Sequence, residues 1–578
     1  MKKYIALIVI LTLITCDSNR DNIKSVGIKF TEKDIVDGGT LVIGINGEPE
    51  TLNPLTALSK PARDVISLIF RRLADINEDL ATFSPQLAKN WEFSPDSLSI
   101  TFTLRTDVLW HDGVRFTSKD VVFTYNMQTD PLLAWDGISF KESITSVESK
   151  DDSTLVFHFN HKTPTMLMDA IEGYIVPEHL LKNIPASKMH EANFNRQPIG
   201  NGPFKYIKWK TQQSIFLIKF DQYYKKGRPH LDRVILKVIP DNVNLFRQLL
   251  SGEVDFVEGI LPRDFTRLIK DWDKGKIIIR PISFLGRQYD FIGWNLICPD
   301  SYAEALKKSG EGEPEIDKLL KPHKLFGNQK VRAALTMAID RETITKVVNH
   351  GMAIPMNGPI PLILWAYNEK ANTVWPYNPE LAKKYLREEG WRDSDGDGIL
   401  DKGNTKFVFE MITNSGNIRR EQALTMIQEQ LRKTNVEMIP RVVEPGLLFG
   451  RVLPSKNFDA VLIGWNVGLK TDFSQLFHSS TFFTPFHFTG FYLKEYDTLE
   501  EAAKNSTNRD TAQKYWDKIA ELLSRELPYT WLYYKLECIA IHNRFKNINF
   551  DKRGSYIQIE DWWIPKEERT KIDKIFEE

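Results

Sequence analysis

The chain has 578 residues, of which 42% are apolar and 26% charged, a composition typical of a soluble globular protein with about three or four domain-sized units. Lysine plus arginine equals aspartate plus glutamate, with 76 of each, so no net field draws the chain to nucleic acid or to an anionic membrane surface. Nucleic-acid binding is therefore excluded as the leading class of function.

The first sixteen residues have the pattern of an export signal. Lys2 and Lys3 form a positive start, and an apolar run interrupted only by Thr12 covers 4–14. This run is shorter than the ~20 residues that span a bilayer as a helix, and it suits the apolar region of a signal peptide. The mostly polar segment 17–37 is interpreted as a tether. The sequence therefore predicts an exported protein with its signal at 1–16.

The end of the signal contains a cysteine of special interest. The segment 13–16, LITC, resembles the bacterial lipobox, which implies that Cys16 is lipidated and begins the mature chain; simple secretion with cleavage nearby is the alternative. Only Cys298 and Cys538 remain after it, and two isolated cysteines do not make a disulfide framework. A bridge between them needs Cα atoms within ~7 Å, so a disulfide and two free thiols both stay open.

Strand and helix signals alternate over most of the chain. Period-two alternation of apolar and polar residues predicts strands at 97–105, 154–160, 233–238 and 406–411. Helical spacing and end signals predict helices at 117–127, 328–344, 377–390 and 421–433. This alternation predicts a mixed α/β fold.

The acidic stretch DSDGDG after the third of these helices looks like a calcium loop, because Asp393, Asp395 and Asp397 alternate. A calcium-binding EF-hand loop needs a bidentate glutamate at its twelfth position, but Asn404 stands there, and a strand follows instead of a second helix. Aspartate–glycine pairs also form tight turns without metal. A polar turn is the favoured interpretation, and a weak calcium site at 393–401 stays open.

Catalytic motifs are absent from the sequence. It contains no GxSxG, HExxH, CxxC or GxxxxGK[ST] pattern. His158 and His161 lie three apart in a predicted strand, which puts them on opposite faces. The sequence therefore predicts a protein that is not an enzyme, and we expect no cofactor and no metal site.

A set of sequence blocks occurs in a fixed order: EPETLNPL at 48–55, SPQLAKNW through VVFTY at 84–125, PIGNGPFKYIKW at 198–209, YDFIGWN at 289–295, YNPELAKKYLREEGWRDSDGDGI at 377–399 and FDAVLIGWN at 458–466. This order resembles the family 5 extracellular solute-binding proteins, the peptide and nickel class of ABC importers. The resemblance extends from about 38 to 560.

The resemblance implies a type II, cluster C-like periplasmic-binding-protein fold with two lobes. Lobe one would consist of 38–75, 197–283 and 528–578, with an extra domain, 76–196, inserted into it. Lobe two would be 284–527. Two crossover strands would join the lobes, near 282–289 and 528–534. Domains of these sizes are physically plausible.

The resemblance also implies ligand-binding residues on the strand at 458–466. Gly464 and Asn466 would offer backbone groups to the solute, and Trp465 would stack on it, with core packing as the alternative role of Trp465. Peptide binders of the family hold the peptide ammonium with an acidic residue three positions after this tryptophan. That position is Gly468 here, so Asp472 is the candidate that would replace the missing charge.

Three further candidates come from the first half of the chain. Glu50 and Thr51 match the family's loop that faces the cleft, although a loop carboxylate such as Glu50 is more often simply solvated. Trp135 lies in a segment that closes the cleft in peptide binders.

The implied function is a lipid-anchored receptor that captures a peptide or similar organic solute and delivers it to the permease and ATPase subunits of an ABC importer. The protein would be monomeric and exported, held in the periplasm or at the outer face of the cytoplasmic membrane. The alternatives are a receptor for an oligosaccharide or a metal chelate, a solute sensor without a transport role, and a secreted hydrolase.

Overall fold

A computed structural model describes residues 35–309 and 316–574. The predicted signal, Cys16 and most of the tether lie outside these residues. Among the described residues, no helix combines the length and the apolar character needed to cross a bilayer.

Over the described ranges, the strands are β1 (Thr40–Ile45), β2 (Ala74–Ile76), β3 (Phe83–Pro85), β4 (Ala88–Phe93), β5 (Ser99–Leu104), β6 (Ile144–Asp151), β7 (Thr154–Phe159), β8 (Phe204–Lys210), β9 (Ser214–Lys219), β10 (Arg233–Val238), β11 (Phe256–Val257), β12 (Ile279–Trp294), β13 (Ala353–Pro355), β14 (Asp401–Lys402), β15 (Thr405–Lys406), β16 (Val408–Asn414), β17 (Glu437–Val443), β18 (Ala460–Asn466) and β19 (Tyr529–His542).

Over the same ranges, the α-helices are α1 (Lys60–Ile69), α2 (Ser118–Thr129), α3 (Met166–Ile171), α4 (Glu178–Leu181), α5 (Asn242–Ser251), α6 (Pro262–Asp273), α7 (Pro299–Ser309), α8 (Ile316–Leu319), α9 (Gln329–Ala338), α10 (Arg341–Val348), α11 (Pro379–Glu388), α12 (Ile418–Arg432), α13 (Pro445–Leu447), α14 (Leu453–Ser455), α15 (Ser474–Phe477), α16 (Lys494–Lys504), α17 (Arg509–Glu526) and α18 (Lys571–Lys574).

One large sheet runs through the described part of the molecule. Its strands lie in the order β17-β16-β18-β12-β19-β11-β1-β10-β9-β8, with β13 also paired to β19. The two longest strands, β12 and β19, are antiparallel and adjacent at its centre. The residues 76–196 contribute a separate four-stranded antiparallel sheet, in the order β4-β5-β7-β6. The mixed α/β class predicted from the sequence is confirmed.

The central strands change partners half-way along their length. The first part of β12, up to Leu285, pairs with the last part of β19, whereas from Tyr289 onward β12 pairs with β18 as well as with the first part of β19. Between Leu285 and Tyr289 the register shifts. This irregularity marks the crossover between the two sides of the molecule.

Separate apolar cores lie on the two sides of this crossover. The buried members of the cores on the first side come from 41–279 and 538–564, and they include Phe102 of the inserted sheet. The buried members on the second side come from 289–534. Two lobes, each with its own buried interior, are therefore joined by β12 and β19, as the two-lobed fold requires.

The local predictions from sequence are largely confirmed. Strands β5, β7, β10 and β16 and helices α2, α11 and α12 form where the patterns placed them. The capping box of α2 is present, with Thr117 and Asp120 bonded reciprocally. The predicted helix at 328–344 is wrong as a single element: it ends at Ala338, and Asp340 begins a new helix by accepting a hydrogen bond from the amide of Thr343.

Both cysteines that the structure describes are free thiols, so the open question of a disulfide is decided against a bridge. Cys538 is buried on β19, and burial raises the pKa of its thiol to about 12. Such a thiol is unreactive near neutral pH.

The candidate ligand-binding cleft

The candidate site is the cleft where the two lobes meet. Because β18 runs antiparallel to β12 with Asn466 opposite Gln288, the carboxyl end of β18 lies at the crossover. β16 is parallel to β18, and β17 to β16, so all three strands end at this edge. In lobe one, β1, β10 and β11 also end toward the crossover, since β11 is antiparallel to the last part of β19. Ligands of open α/β sheets bind at such carboxyl ends.

Large apolar side chains are exposed at these strand ends and on the loops and helices that follow them. We call this set the apolar rim; its members are Leu58, Val243 and Leu261 in lobe one and Ile418, Val442, Leu447 and Phe449 in lobe two. Exposed apolar side chains mark a binding surface where they lie together, and these residues all come at or after strands whose ends face the crossover. The cleft therefore suits a solute with apolar groups.

Trp465 lies at the tip of β18 and is only partly exposed. Its ring packs 6.0 Å from the ring of Phe291 and 5.9 Å from that of Phe486, and its Nε1 donates to the hydroxyl of Tyr529 at 3.4 Å. The indole is therefore held on one side by other aromatic rings, while its remaining surface is available to a solute. This position is compatible with both predicted roles of Trp465, packing in the core and stacking on a solute.

The neighbours of Trp465 differ in their surroundings. The side chain of Asn466 is exposed at the end of the strand. Gly464 has no room for a side chain, because a Cβ would overlap with the carboxylate of Asp290 and the carbonyl oxygen of Tyr289. Glycine is needed here for close approach of strands, not for an unusual backbone angle.

A buried carboxylate network supports the lobe-two wall of the cleft. Asp290 on β12 accepts from Arg420 at 2.8 Å and from the hydroxyl of Tyr533 at 3.0 Å, and the Lys535 ammonium lies 3.0 Å away. Burial alone would raise the pKa of Asp290, but the charges of Lys535 and Arg420 outweigh it and hold that pKa well below its ordinary value. Sequence reasoning missed this network, although a charge inside the apolar strand YDFIGWN was a signal for it.

Glu50 and Thr51 organise the loop between β1 and α1. The Glu50 carboxylate accepts from the amides of Leu58 and Ser59, at 2.6 and 2.9 Å, and from the Ser59 hydroxyl. Burial would raise the pKa of Glu50, but these hydrogen bonds outweigh it and lower that pKa. The Thr51 hydroxyl is buried and lies 3.2 Å from that of Thr56. In this structure both side chains serve the loop itself.

Trp135 is nearly buried and packs in the apolar core that lobe one shares with the segment 76–196, with the Lys141 ammonium 5.7 Å from its ring centre. Asp472 is engaged within lobe two. Its carboxylate accepts from the amide and hydroxyl of Ser474 at 3.0 and 2.7 Å and lies 3.2 Å from the Lys504 ammonium. Burial would raise the pKa of Asp472, and Lys504 together with Ser474 lowers it overall.

Lys470 and Arg509 of lobe two contact residues of the segment 76–196 across the cleft. Lys470, in the loop after β18, lies 3.0 Å from the carboxylate of Asp169 in α3. Arg509, at the start of α17, donates to the carbonyl of Leu80 at 2.9 Å. The two sides of the cleft are therefore in direct contact at these positions.

The acidic stretch after α11 lies away from this cleft, near the amino end of β16. Among the described residues, Asp393, Asp395 and Asp401 are spaced so that they could share a metal ion. Asp393 accepts from the amides of Gly396 and Gly398 at 2.8 and 3.0 Å, and the Lys406 ammonium lies 3.0 Å from Asp395. The predicted turn is confirmed, and the carboxylates already have partners within it.

Two lobes, two crossover strands and a strand-end cleft with an apolar rim define a two-lobed solute-binding protein. Residues 82–483 match the model of the bacterial extracellular solute-binding proteins, family 5 (middle part), and the chain therefore belongs to that family. It is a solute-binding protein of the class that serves ABC importers.

Full-length relatives support the assignment. The chain is 32% identical to the oligopeptide-binding protein AppA of Bacillus subtilis over 92% of both chains. The structure of that protein with a nonapeptide matches with a TM-score of 0.74, at 31% identity, covering 92% of this chain and 100% of AppA. NikZ of Campylobacter jejuni with Ni(L-His) matches with a TM-score of 0.72, at 26% identity, covering 91% and 99%. Heme-binding protein A of Haemophilus influenzae is 25% identical over 90% and 91%.

Proposed function

We propose that this protein captures a peptide between its two lobes and presents it to the permease and ATPase subunits of an ABC importer. The observation that carries the proposal is the likeness to AppA over nearly the whole of both chains, in sequence and in a structure that holds a nonapeptide. The apolar rim supports it, because peptide side chains are the apolar groups that such a rim would cover.

The geometry suits an extended backbone ligand. The exposed end of β18 offers the peptide groups of Gly464 and Asn466 for strand-like hydrogen bonds, and Trp465 offers an aromatic face. A solute that touches both lobes favours the closed state by its extra contacts there. The proposed lobes are 38–75, 197–283 and 528–578 with the insertion 76–196, and 284–527.

The test is titration calorimetry of the purified protein with a panel of free peptides of two to nine residues. We expect at least one apolar peptide to bind, and Trp465→Ala to weaken its binding about tenfold or more, because a pre-packed aromatic surface is lost. Trp272→Ala, which removes a similarly half-buried ring from the far end of α6, is the matched control and should leave affinity unchanged. If no peptide in the panel binds, the proposal fails.

A metal chelate is the second candidate ligand, because NikZ matches this fold with Ni(L-His) bound. The cleft contains no histidine cluster among the described residues; the group with metal-ligand spacing lies at 393–401 instead. A chelate would therefore have to bring its own ligands. Adding Ni(L-His) and an oligosaccharide to the titration panel separates these alternatives from a peptide. Peptide uptake that is unchanged in cells lacking the protein would favour a sensor over a transport receptor.

The proposed attachment is a lipid on Cys16, supported by the lipobox resemblance of LITC. A Cys16→Ala variant should move from the membrane fraction to the soluble exported fraction, with the same peptide affinity. Retention in the membrane fraction would argue against the anchor. The proposed location is the periplasm or the outer face of the cytoplasmic membrane.

A further inference from the structure

Two opposite charges at the floor of the cleft have no partner in the part of the chain that the structure describes. Arg287 lies in the irregular part of β12, and Glu537 lies on β19 opposite Phe284. Both side chains are half-buried, and neither makes a hydrogen bond or an ion pair with a described residue. Burying a charge without a partner is costly, and these two opposite charges lie together at the crossover, where a solute that bridges the lobes would bind.

The position of Arg287 is next to the strand tip that carries Trp465. The carbonyl of Arg287 accepts from the amide of Val467 at 2.8 Å, and Val467 directly follows Asn466. Arg287 is therefore beside the start of the loop that follows β18. It is also at the crossover, where a solute that bridges the lobes has to lie.

Glu537 lies against the same crossover from the other strand. A Cβ placed on Gly286 would be 2.8 Å from Oε1 of Glu537, so the carboxylate lies across the backbone next to Arg287. The hydroxyl of Tyr534 donates to the carbonyl of Gly286 at 2.6 Å. Of the carboxylates around Arg287, Glu537 acts on its charge most strongly, yet the two form no ion pair.

Several other charged groups around this floor are already paired. The pairs are Arg72 with Glu172 at 2.8 Å, Lys60 with Asp64 at 2.6 Å, Lys60 with Glu258 at 2.5 Å, and Arg63 with Asp136. Burial lowers the pKa of Arg287 and raises that of Glu537, as expected of groups that lose water without gaining a partner.

We infer that Glu537 receives the ammonium group and Arg287 the carboxylate of a short zwitterionic peptide. The inference rests on the proposed function and names its specificity-determining residues. A planar guanidinium binds a carboxylate through two parallel hydrogen bonds, and a carboxylate is the natural acceptor for an ammonium group. Asp472 is not required for this role, because its carboxylate is held by Lys504 and Ser474.

Strand geometry limits the length of the solute. Glu537 is opposite Phe284, three residues before Arg287 on the neighbouring strand, so the two Cα atoms are roughly 10 Å apart. An extended peptide of two or three residues covers about 7–11 Å, so its two ends match this floor, whereas the ends of a nonapeptide do not.

The test uses the tripeptide Leu-Ala-Leu in free, N-acetylated and C-amidated forms, titrated into the wild-type protein. We expect the free form to bind about 10- to 100-fold more tightly than either blocked form, as the loss of one charge-assisted hydrogen-bonded contact predicts. Glu537→Gln should abolish only the preference for a free amino end, and Arg287→Gln only the preference for a free carboxylate. Glu537→Asp and Arg287→Lys should restore part of each preference.

Arg280→Gln is the matched control. Arg280 is a half-buried arginine on β12, seven residues before Arg287 and farther from the crossover. Burial lowers its pKa, as it lowers that of Arg287. This variant and Asp472→Asn should keep both preferences. Equal binding of the three forms by the wild type, or loss of the amino-end preference in Asp472→Asn alone, overturns the assignment while leaving peptide capture intact. Binding of no form and of no other peptide overturns the proposed function and the assignment together.

Discussion

The ammonium of Lys470 lies 3.0 Å from the carboxylate of Asp169 and 5.2 Å from the ring centre of Phe140, so one side chain of lobe two is embedded in the inserted domain. The side chains are only 15% and 2% exposed. A pair this buried is worth more than a surface salt bridge, because removing one partner leaves an uncompensated charge. It therefore ties the loop after β18 to the segment 76–196 while the lobes are in contact.

Lys470→Met should shift the protein toward the open state. In this variant the buried Asp169 carboxylate has lost its cation, and opening of the lobes returns it to water. The variant therefore favours the open state, and we expect peptide affinity to fall about tenfold or more. Small-angle scattering of the ligand-free protein should show a larger radius of gyration. Lys504→Met is the matched control, since it breaks a Lys–Asp pair of the same loop within lobe two. An equal effect of both variants on the radius of gyration would contradict this role for Lys470.

Gly464→Ala should destabilise the protein, and Gly468→Ala should not. The added methyl group at Gly464 would overlap with backbone of β12 and with Asp290, whereas at Gly468 the nearest atom is 4.0 Å away. Overpacking of this kind costs about 1–3 kcal/mol or more. Thermal unfolding of the two variants side by side measures the difference. Equal melting temperatures would mean that β12 and β18 can separate without cost.

Asp290→Asn should be strongly destabilising. It leaves the buried cations of Lys535 and Arg420 without their shared anion, and breaking such a network costs about 3–5 kcal/mol. Asp152→Asn is the control, because its pair with Lys119 is more than two-thirds exposed and should contribute less than about 1 kcal/mol. Urea unfolding followed by fluorescence compares the variants. A change at Asp290 no larger than that at Asp152 would contradict the network's structural role.

Stability should fall in acid partly through Glu560. Burial would raise the pKa of this carboxylate, but Arg71 and Lys225 bind it and lower the pKa from 4.5 to about 2. The folded state therefore holds fewer protons than the unfolded chain between these values. The contribution, on the order of 3 kcal/mol, is complete above about pH 4.5 and is lost as the pH falls toward 2.

Glu560→Gln should accordingly lower stability near neutral pH and flatten the decline between pH 4.5 and 2. Denaturant unfolding across that interval measures both effects. Glu567→Gln, at an exposed position, is the control and should follow the wild-type pH profile. A variant at Glu560 that keeps the wild-type slope would show that other carboxylates carry the acid sensitivity.

Local pattern was sufficient for most elements and for the family. Period-two alternation identified β5 and β16, and the asparagine and proline at the start of α11 act as the sequence suggested, with Asn378 accepting from the amide of Leu381. The failure was at Asp340, where a capping side chain divides a continuous helical pattern. Periodicity does not register such a break, because the apolar face resumes after it.

The partners of the site residues could not be predicted from the sequence in the same way. The sequence made Asp472 the candidate to replace the acidic residue missing at Gly468, but its carboxylate pairs with Lys504, 32 residues later in the chain. Glu50 was a candidate contact to the solute, and it bonds to Ser59 of its own loop. A side chain's residue type tells which partners it can accept, and only the packed structure tells which one it has.

The sequence by itself determined the export pattern, the α/β class, the order of family blocks and the strand that carries Trp465, because each depends on residues that are neighbours in the chain. The tertiary structure decided which charges meet: Arg420 and Tyr533 reach Asp290 from 130 and 243 positions away. It also decided that Arg287 and Glu537 have no ion-pair partner among the described residues at the crossover. Such pairings follow from the register of β12, β18 and β19, which is set by the packing of the whole sheet and not by any local run of residues.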